Sequence, residues 1–466
     1  MRSSRIWLIW VVVFVISLPA VTTRLYASDE IEYFAFLRSL WFDRDLSFDN
    51  EYRYFYDRGI ARAHGFHETF LELTTETGLR YNFGTIGSAI LWAPFYAVAD
   101  VSVRVARMAG ADVDAAGYSW PYIAAVTYGS AVYGLLALLL SVHVARQLTG
   151  RGHLAAAVVG LGTPLAFYMY LSPGMSHACS AFAVALFAAV WIHVRREWPP
   201  SGCFTLGASA ALMTMVREQD ALFALGPLMD FVRAMVRPGS PLAHWSSRLR
   251  AAAAGLGGLA IAFVPQAWAY VVLNGRFAPA SPVSAKMRWH APHAWNVLFS
   301  PEHGFLFWTP LAVLAIVGLA LLARGGRLST DRTVSDRGWI AICLLVMFAA
   351  QVYIAGSVDT WTVAGAFGQR RFVGTTVILV VGLAALDQLV KAGRPALTVI
   401  GVLAVWWNVG LMVQFGAGLM DRQRLTLAQN AYNTFIVVPL SLPDLAYRFA
   451  FDRSSFFNAP TSAPPQ

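Results

Sequence analysis

The sequence predicts an all-α polytopic membrane protein with about eleven transmembrane helices, a count that follows from three observations. First, 57% of the 466 residues are hydrophobic and only 13% are charged, against roughly a quarter charged in an ordinary soluble domain. Second, apolar runs near the ~20 residues that a helix needs to cross the hydrocarbon core recur along the whole chain. Third, arginines cluster in the short gaps between those runs. The net charge of +9 is therefore read as topology signals and lipid-headgroup contacts, and nucleic-acid binding is excluded. Cys179, Cys203 and Cys343 are scattered, with neither the spacing of a metal site nor that of a disulfide framework.

The first apolar segment, 6–20, follows the basic start Met1-Arg2-Ser3-Ser4-Arg5. That puts the N-terminus in the cytoplasm and runs the first helix outward. The segment is read as a retained helix, because many spans follow it and no clear small-x-small cleavage site is present. The first extracytoplasmic loop, about 23–118, is polar over 23–83. Within it Ile31, Phe34, Phe36, Leu37, Leu40 and Trp41 recur at helical spacing, as in an amphipathic helix lying at the membrane surface. The apolar segment 84–103 carries Pro94, Asp100, Arg104 and Arg107. It is read as re-entrant or interfacial, because only then do the Arg146–Arg151 and His193–Arg196 clusters both face the cytoplasm.

Spans then follow at about 119–145, 153–171, 180–194, 203–216, 220–236, 250–273, 304–323, 338–356, 371–390 and 396–416. Arg233, Arg237, Arg248, Arg250, Arg324, Arg327, Arg332, Arg337, Lys391 and Arg394 occupy the inward loops. The predicted organisation is a transmembrane domain over 1–416 and a short extracytoplasmic tail over 417–466, Pro-rich and disordered at its end. No strict internal repeat is visible.

This topology gathers unusual polar residues on the outer face: Ser28-Asp29-Glu30-Ile31-Glu32, Ser172 to His177, Arg217-Glu218-Gln219-Asp220, Lys286 to His293, Ser300 to Gly304 and Gly365 to Phe372. Ionisable groups at membrane depth are costly and tend to mark functional sites. An arginine pair beside glycines, Arg370-Arg371, runs against the positive-inside bias and suits an anionic group, phosphate above all. The bland readings are a solvated acidic cap for Asp29 and Glu30, an interfacial histidine for His177, and a turn-holding role for Arg217.

These motifs resemble the bacterial GT-C superfamily of polyprenyl-phosphate-dependent glycosyltransferases, the group of protein O-mannosyltransferases and lipid A aminoarabinose transferases. The resemblance rests on Ser28-Asp29-Glu30, Ala93-Pro94-Phe95-Tyr96, Met175-Ser176-His177-Ala178 and Val216-Arg217-Glu218-Gln219-Asp220. It extends through Phe299 to Gly304, Trp308-Thr309-Pro310 and Phe367-Gly368-Gln369-Arg370-Arg371-Phe372.

The resemblance implies a sugar donor linked to a polyprenyl phosphate and an inverting transfer on the extracytoplasmic face of a bacterial inner membrane. The acceptor would be a protein, lipid or glycan. It implies Asp29 as general base, with Glu30 supporting it or binding acceptor, and Arg217, Arg370, Arg371 and His177 at the donor phosphate. Substrate contacts would come from Tyr81, Asn82, Glu218, Glu302, His303 and Gln369. Where many relatives carry Lys-Pro-Pro, this chain has Tyr81-Asn82-Phe83-Gly84, so a phosphate contact must come from elsewhere or the donor differs. His177 lacks a nearby carboxylate in its loop, and no cofactor or essential metal is expected. The competing readings are a transporter or lipid flippase, and a scaffold that has kept the fold without activity.

Overall fold

The computed structural model describes residues 2–60, 65–363, 365–390 and 393–452. Lys391 and the Pro-rich end from Ala459 lie outside them. The described residues are helical, with two isolated β-bridges, Thr74 with Arg80 and Met287 with Val358. In chain order the helices are α1 (Arg2–Ser17), α2 (Ser28–Arg38), α3 (Asp49–Asp57), α4 (Gly87–Met108), α5 (Trp120–Thr149), α6 (His153–Gly162) and α7 (Leu165–Tyr170). Next come α8 (His177–Val194), α9 (Pro200–Val216), α10 (Leu225–Val236), α11 (Trp245–Asn274), α12 (Ser281–Ala285), α13 (Ala294–Phe299) and α14 (Phe305–Trp308). The last are α15 (Leu311–Leu328), α16 (Arg332–Gly356), α17 (Thr376–Leu389), α18 (Arg394–Ala417), α19 (Leu427–Tyr432) and α20 (Val438–Phe451).

Local chemistry sets many of these boundaries. Proline in the first turn opens α5, α9 and α18, where its missing N–H costs nothing. Gly150, Gly275 and Gly418 close α5, α11 and α18 in the left-handed conformation. Inside the bundle, glycine permits contact between backbones. A methyl group on Gly207 of α9 would overlap the Gly255 carbonyl of α11, and one on Gly318 of α15 would overlap the Gly382 carbonyl of α17.

Among the described residues nine helices are long and apolar enough to cross a membrane. The expected spans at 119–145, 180–194, 250–273, 304–323, 338–356, 371–390 and 396–416 are among them. Those at 6–20, 153–171, 203–216 and 220–236 are shorter helices or pairs of short pieces. The 153–171 segment breaks at Thr163-Pro164, where Thr163 turns extended ahead of a residue that cannot donate to the helix ladder.

Two segments bear on the predicted count. The α4 helix meets the length and hydropathy of a span, yet it does not carry the chain to the opposite end. Trp120 Nε1, at the start of α5, donates to Thr23 Oγ1 just beyond α1 at 3.0 Å. The chain thus enters and leaves the 23–118 segment at one end of the bundle. Leu91 and Trp92, near the start of α4, meet Tyr133 and Ser130 of α5, whereas Asp100 meets Tyr122. The helix therefore starts below the rim and climbs out, as the re-entrant reading requires.

The second segment is 417–466, expected as a tail. The apolar stretch Leu427–Phe451 has the length and hydropathy of a span, and its first part runs back along α18, with Gln414 bonded to Asn430 and Thr434 and Trp406 to the Thr434 carbonyl. Phe435, Leu440 and Phe451 of this stretch are exposed apolar side chains, which suits a surface that faces hydrocarbon more than water.

Candidate active site

The outer-face motifs converge at the bundle end where α1 finishes. Thr22 N bonds the Tyr170 carbonyl at 2.7 Å, so the turn after α7 lies beside the start of the first loop. Trp92 Nε1 donates to Ser130, and the Ser130 hydroxyl contacts Cys179 Sγ. The start of α8 therefore sits level with Ser130. Ten residues of helix separate Ser130 from Trp120, roughly 15 Å at 1.5 Å per residue, so the motifs form a recess below the rim.

The centre of that recess is an ion pair. Asp29, in the first turn of α2, accepts from Arg370 Nη1 through Oδ2 at 2.6 Å. Their side chains are 37% and 23% exposed, so the pair is reachable without lying on an open surface. Arg370 opens the 3₁₀ turn Arg370–Thr375. Gly365 and Gly368 precede it with φ of +76° and +61°, a region glycine enters without strain. Gly368 also packs against the Pro164 ring so closely that a methyl group would sit 2.8 Å from Pro164 Cγ.

Arg217, at the end of α9, supplies a second cation. Its Nη1 donates to Ser176 Oγ and His177 Nδ1, both at 3.1 Å. With arginine as donor, Nδ1 is the acceptor and the imidazole proton sits on Nε2. The His177 ring rests on Tyr168, 4.3 Å between centroids, so it braces Arg217. The position of Arg217 follows from the first-loop return. Thr85 Oγ1 bonds the Val216 carbonyl at 2.9 Å, and Gly87 touches the Met215–Val216 backbone.

The remaining candidates divide. Glu30 is buried; Oε2 accepts from Tyr26 N and Ala27 N at 2.9 and 3.2 Å, and Oε1 from Ser172 Oγ at 2.7 Å. This capping arrangement holds the start of α2 and thereby Asp29, so of the two roles expected of Glu30 the supporting one matches its contacts. Asn82 spans the Glu32 carbonyl and Gly84 N. Tyr81 stacks on Phe83. Glu218 accepts from the Tyr270 hydroxyl.

Arg371 turns away from Asp29 to the Thr360 carbonyl at 2.9 Å, while Gln219 and Gln351 hold its backbone carbonyl. Glu302, expected to contact substrate, is exposed. His303 is buried against Trp308 and bonded to the Ala366 carbonyl at 3.0 Å. Gln369 Nε2 bridges the His303 and Trp361 carbonyls. His303 and Gln369 thus sit on or against the loop that presents Arg370, and their hydrogen bonds go to backbone carbonyls.

Two residues were given no role from sequence, Glu32 although it stood in the Ser28–Glu32 motif. Glu32 Oε2 accepts Phe83 N at 2.6 Å and Gly84 N at 3.1 Å, which clamps the re-entry turn beside Asp29. Tyr33, one helical turn after Asp29, faces Ser176 and the charges of Arg217 and Asp29. The signal for Tyr33 was the i, i+4 spacing from Asp29; for Glu32 the acidic motif was visible but not the clamp, since its partners are backbone groups fifty residues on.

The acidic groups differ in charge state. Burial tends to raise Asp29, but Arg370 beside it outweighs burial and holds the carboxyl below its ordinary value. Burial pushes Glu30 up to about 7 despite its three donors. Burial and the Asp29 charge push Glu32 up to about 8. At neutral pH the recess thus presents one committed carboxylate, Asp29.

No family model matches this chain, and no curated protein matches it. The structure is similar to the crystal structure of ArnT from Cupriavidus metallidurans in the apo state, with a TM-score of 0.45 and 14% identity over 96% of this chain and 78% of that chain.

Proposed function

We propose that this protein is a membrane glycosyltransferase of the GT-C type that moves a sugar from a polyprenyl-phosphate donor to an acceptor hydroxyl, with inversion, at an extracytoplasmic site in a bacterial inner membrane. The observation that carries the reading is the 2.6 Å Asp29–Arg370 pair, sunk below the rim with Arg217 alongside. It places a carboxylate kept ionised next to cations that suit a phosphate monoanion.

The reaction asks two things of the chain. The acceptor oxygen attacks the anomeric carbon and its proton passes to the Asp29 carboxylate. The bond from that carbon to the phosphate oxygen breaks, and the electron pair leaves with the lipid phosphate, where arginine offsets the developing charge. Without donor, Arg370 and Asp29 satisfy one another. A donor phosphate that takes Arg370 releases Asp29, and with less cationic compensation in a buried setting the carboxylate becomes a stronger base. Donor is therefore expected to bind before acceptor.

The test is binding and turnover of a panel of radiolabelled polyprenyl-phosphate sugars by the purified protein in detergent. The expected result is one donor that the wild type binds and consumes, and that Asp29→Asn binds but consumes at least about 10²-fold more slowly, the usual scale of general-base catalysis. Absence of binding by any donor would overturn the reading and favour transport.

A further inference from the structure

At the end of the bundle opposite the recess, α1, α5, α8 and α9 enclose a groove of about 660 Å³ lined by Trp7, Leu136, Leu140, Val190, Gly202 and Thr205, with His143 and His193 also on its wall. The size is that of a small-molecule site. The helices around it present Leu8, Val11, Val12 and Phe204 outward as exposed apolar side chains, so the groove opens onto the lipid-facing surface.

Its rim is cationic on both sides. Arg196 Nη2 donates to Gln147 Oε1 at 3.3 Å, and Gln147 Nε2 lies 2.7 Å from His143 Nε2, which links Arg196 to the groove wall. Arg146 follows His143 by three positions on the same face of α5, and its charge acts on His153. His153 in turn packs on Trp7, 5.0 Å between ring centroids, and accepts from Trp10 Nε1 at 3.1 Å. The catalytic recess uses none of these groups.

We propose that this groove is a binding site for an anionic phospholipid, with an acyl chain against Leu136, Leu140 and Val190 and the phosphate between Arg146 and Arg196. The occupant follows from the geometry. An apolar channel open to the bilayer holds hydrocarbon, and a basic pocket between spans at one membrane face selects a negatively charged headgroup. On the α9 wall Gly202 lets that helix close on Val194, and Thr205 is an exposed lining residue.

The experiment is native mass spectrometry of the full-length protein in detergent containing equal amounts of phosphatidylglycerol and phosphatidylcholine with matched chains. Wild type is expected to retain phosphatidylglycerol several-fold over phosphatidylcholine. Arg146→Ala with Arg196→Ala is expected to bring the two lipids to parity. Thr205→Trp, which fills the groove from an exposed position, is expected to lower retention of both. A same-face control, Arg250→Ala with Arg332→Ala, keeps the wild-type preference. Equal retention of the two lipids by wild type overturns the proposal. So does an unchanged preference in the Arg146/Arg196 variant, or an equal loss in the control. Should the double arginine variant fail to fold, unchanged retention by Thr205→Trp is sufficient to overturn it.

Discussion

Asp29 and Arg370 stand 341 positions apart in the chain, yet each was legible alone: a carboxylate just after the first apolar run, and an arginine pair on a face that should be poor in arginine. Their pairing makes a pH prediction. Burial is the largest influence on Asp29 and works to raise it; Arg370 reverses the sign. In wild type the acid limb of kcat/KM should therefore fall below the ordinary Asp value of about 3.9. In Arg370→Gln burial is no longer offset, and the limb should move above that value, which a pH–rate profile reads directly. Glu32 makes the opposite prediction for stability. Its folded-state value of about 8 exceeds the ordinary 4.5, so the fold binds that proton more tightly than the unfolded chain does. The associated stabilisation is complete below 4.5 and is lost as pH rises through about 8. Thermal midpoints should decline from pH 5 to pH 9, and the decline should be shallower in Glu32→Gln, which keeps an acceptor for Phe83 N and Gly84 N but cannot ionise. Equal slopes in the two proteins would remove Glu32 as the cause. Sequence could not expose that role, because the partners are backbone groups brought in by the return of the first loop.

At the scale of the helix, hydropathy located most of the long elements because burial against lipid demands unbroken apolar length. It could not see where α6 gives way to α7, since the Thr163-Pro164 break sits inside a run that stays apolar on both sides. Nor could it see which helices touch. Contact between α9 and α11 depends on Gly207 facing the Gly255 carbonyl and Gly258 facing the Phe204 carbonyl, and glycines of the same composition elsewhere, such as Gly257 and Gly325, face open space. Hence Gly207→Val should force α9 from α11 and cost about 1–3 kcal/mol, the scale of overpacking in a filled core, whereas Gly325→Ala should be near neutral. Comparative thermal denaturation in one detergent checks both. Because Arg217 closes α9, the same Gly207 variant should also weaken donor binding, and Gly325→Ala should not.

For the molecule as a whole, the question is how many times the chain changes sides, and the arginine distribution answered only part of it. It reads the 84–103 segment as one that returns to its own face, because two downstream basic clusters demand it, and the Trp120–Thr23 bond agrees with that reading. It reads the chain beyond α18 as an extracytoplasmic tail, and it gives no sign of the apolar helical stretch Leu427–Phe451 there. The hydrogen bonds settle the local geometry: Trp120 meets Thr23 at one end, Trp10 meets His153 toward the other, and 427–437 runs antiparallel to α18 from the site end. Single-cysteine variants on a background with Cys179, Cys203 and Cys343 replaced should reveal this directly, since all three native thiols are buried. Asp112→Cys, between α4 and α5, and Gln423→Cys, after α18, should react together with a membrane-impermeant maleimide added from the side that carries Asp29. Arg151→Cys, between α5 and α6, should react only from the opposite side. If Leu427–Phe451 crosses as its length and hydropathy allow, Asp452→Cys should share the Arg151→Cys pattern. Labelling of Asp452→Cys from the Asp29 side would instead lay α20 along the membrane surface, and labelling of Asp112→Cys from the far side would make α4 a true span and invert every helix after it.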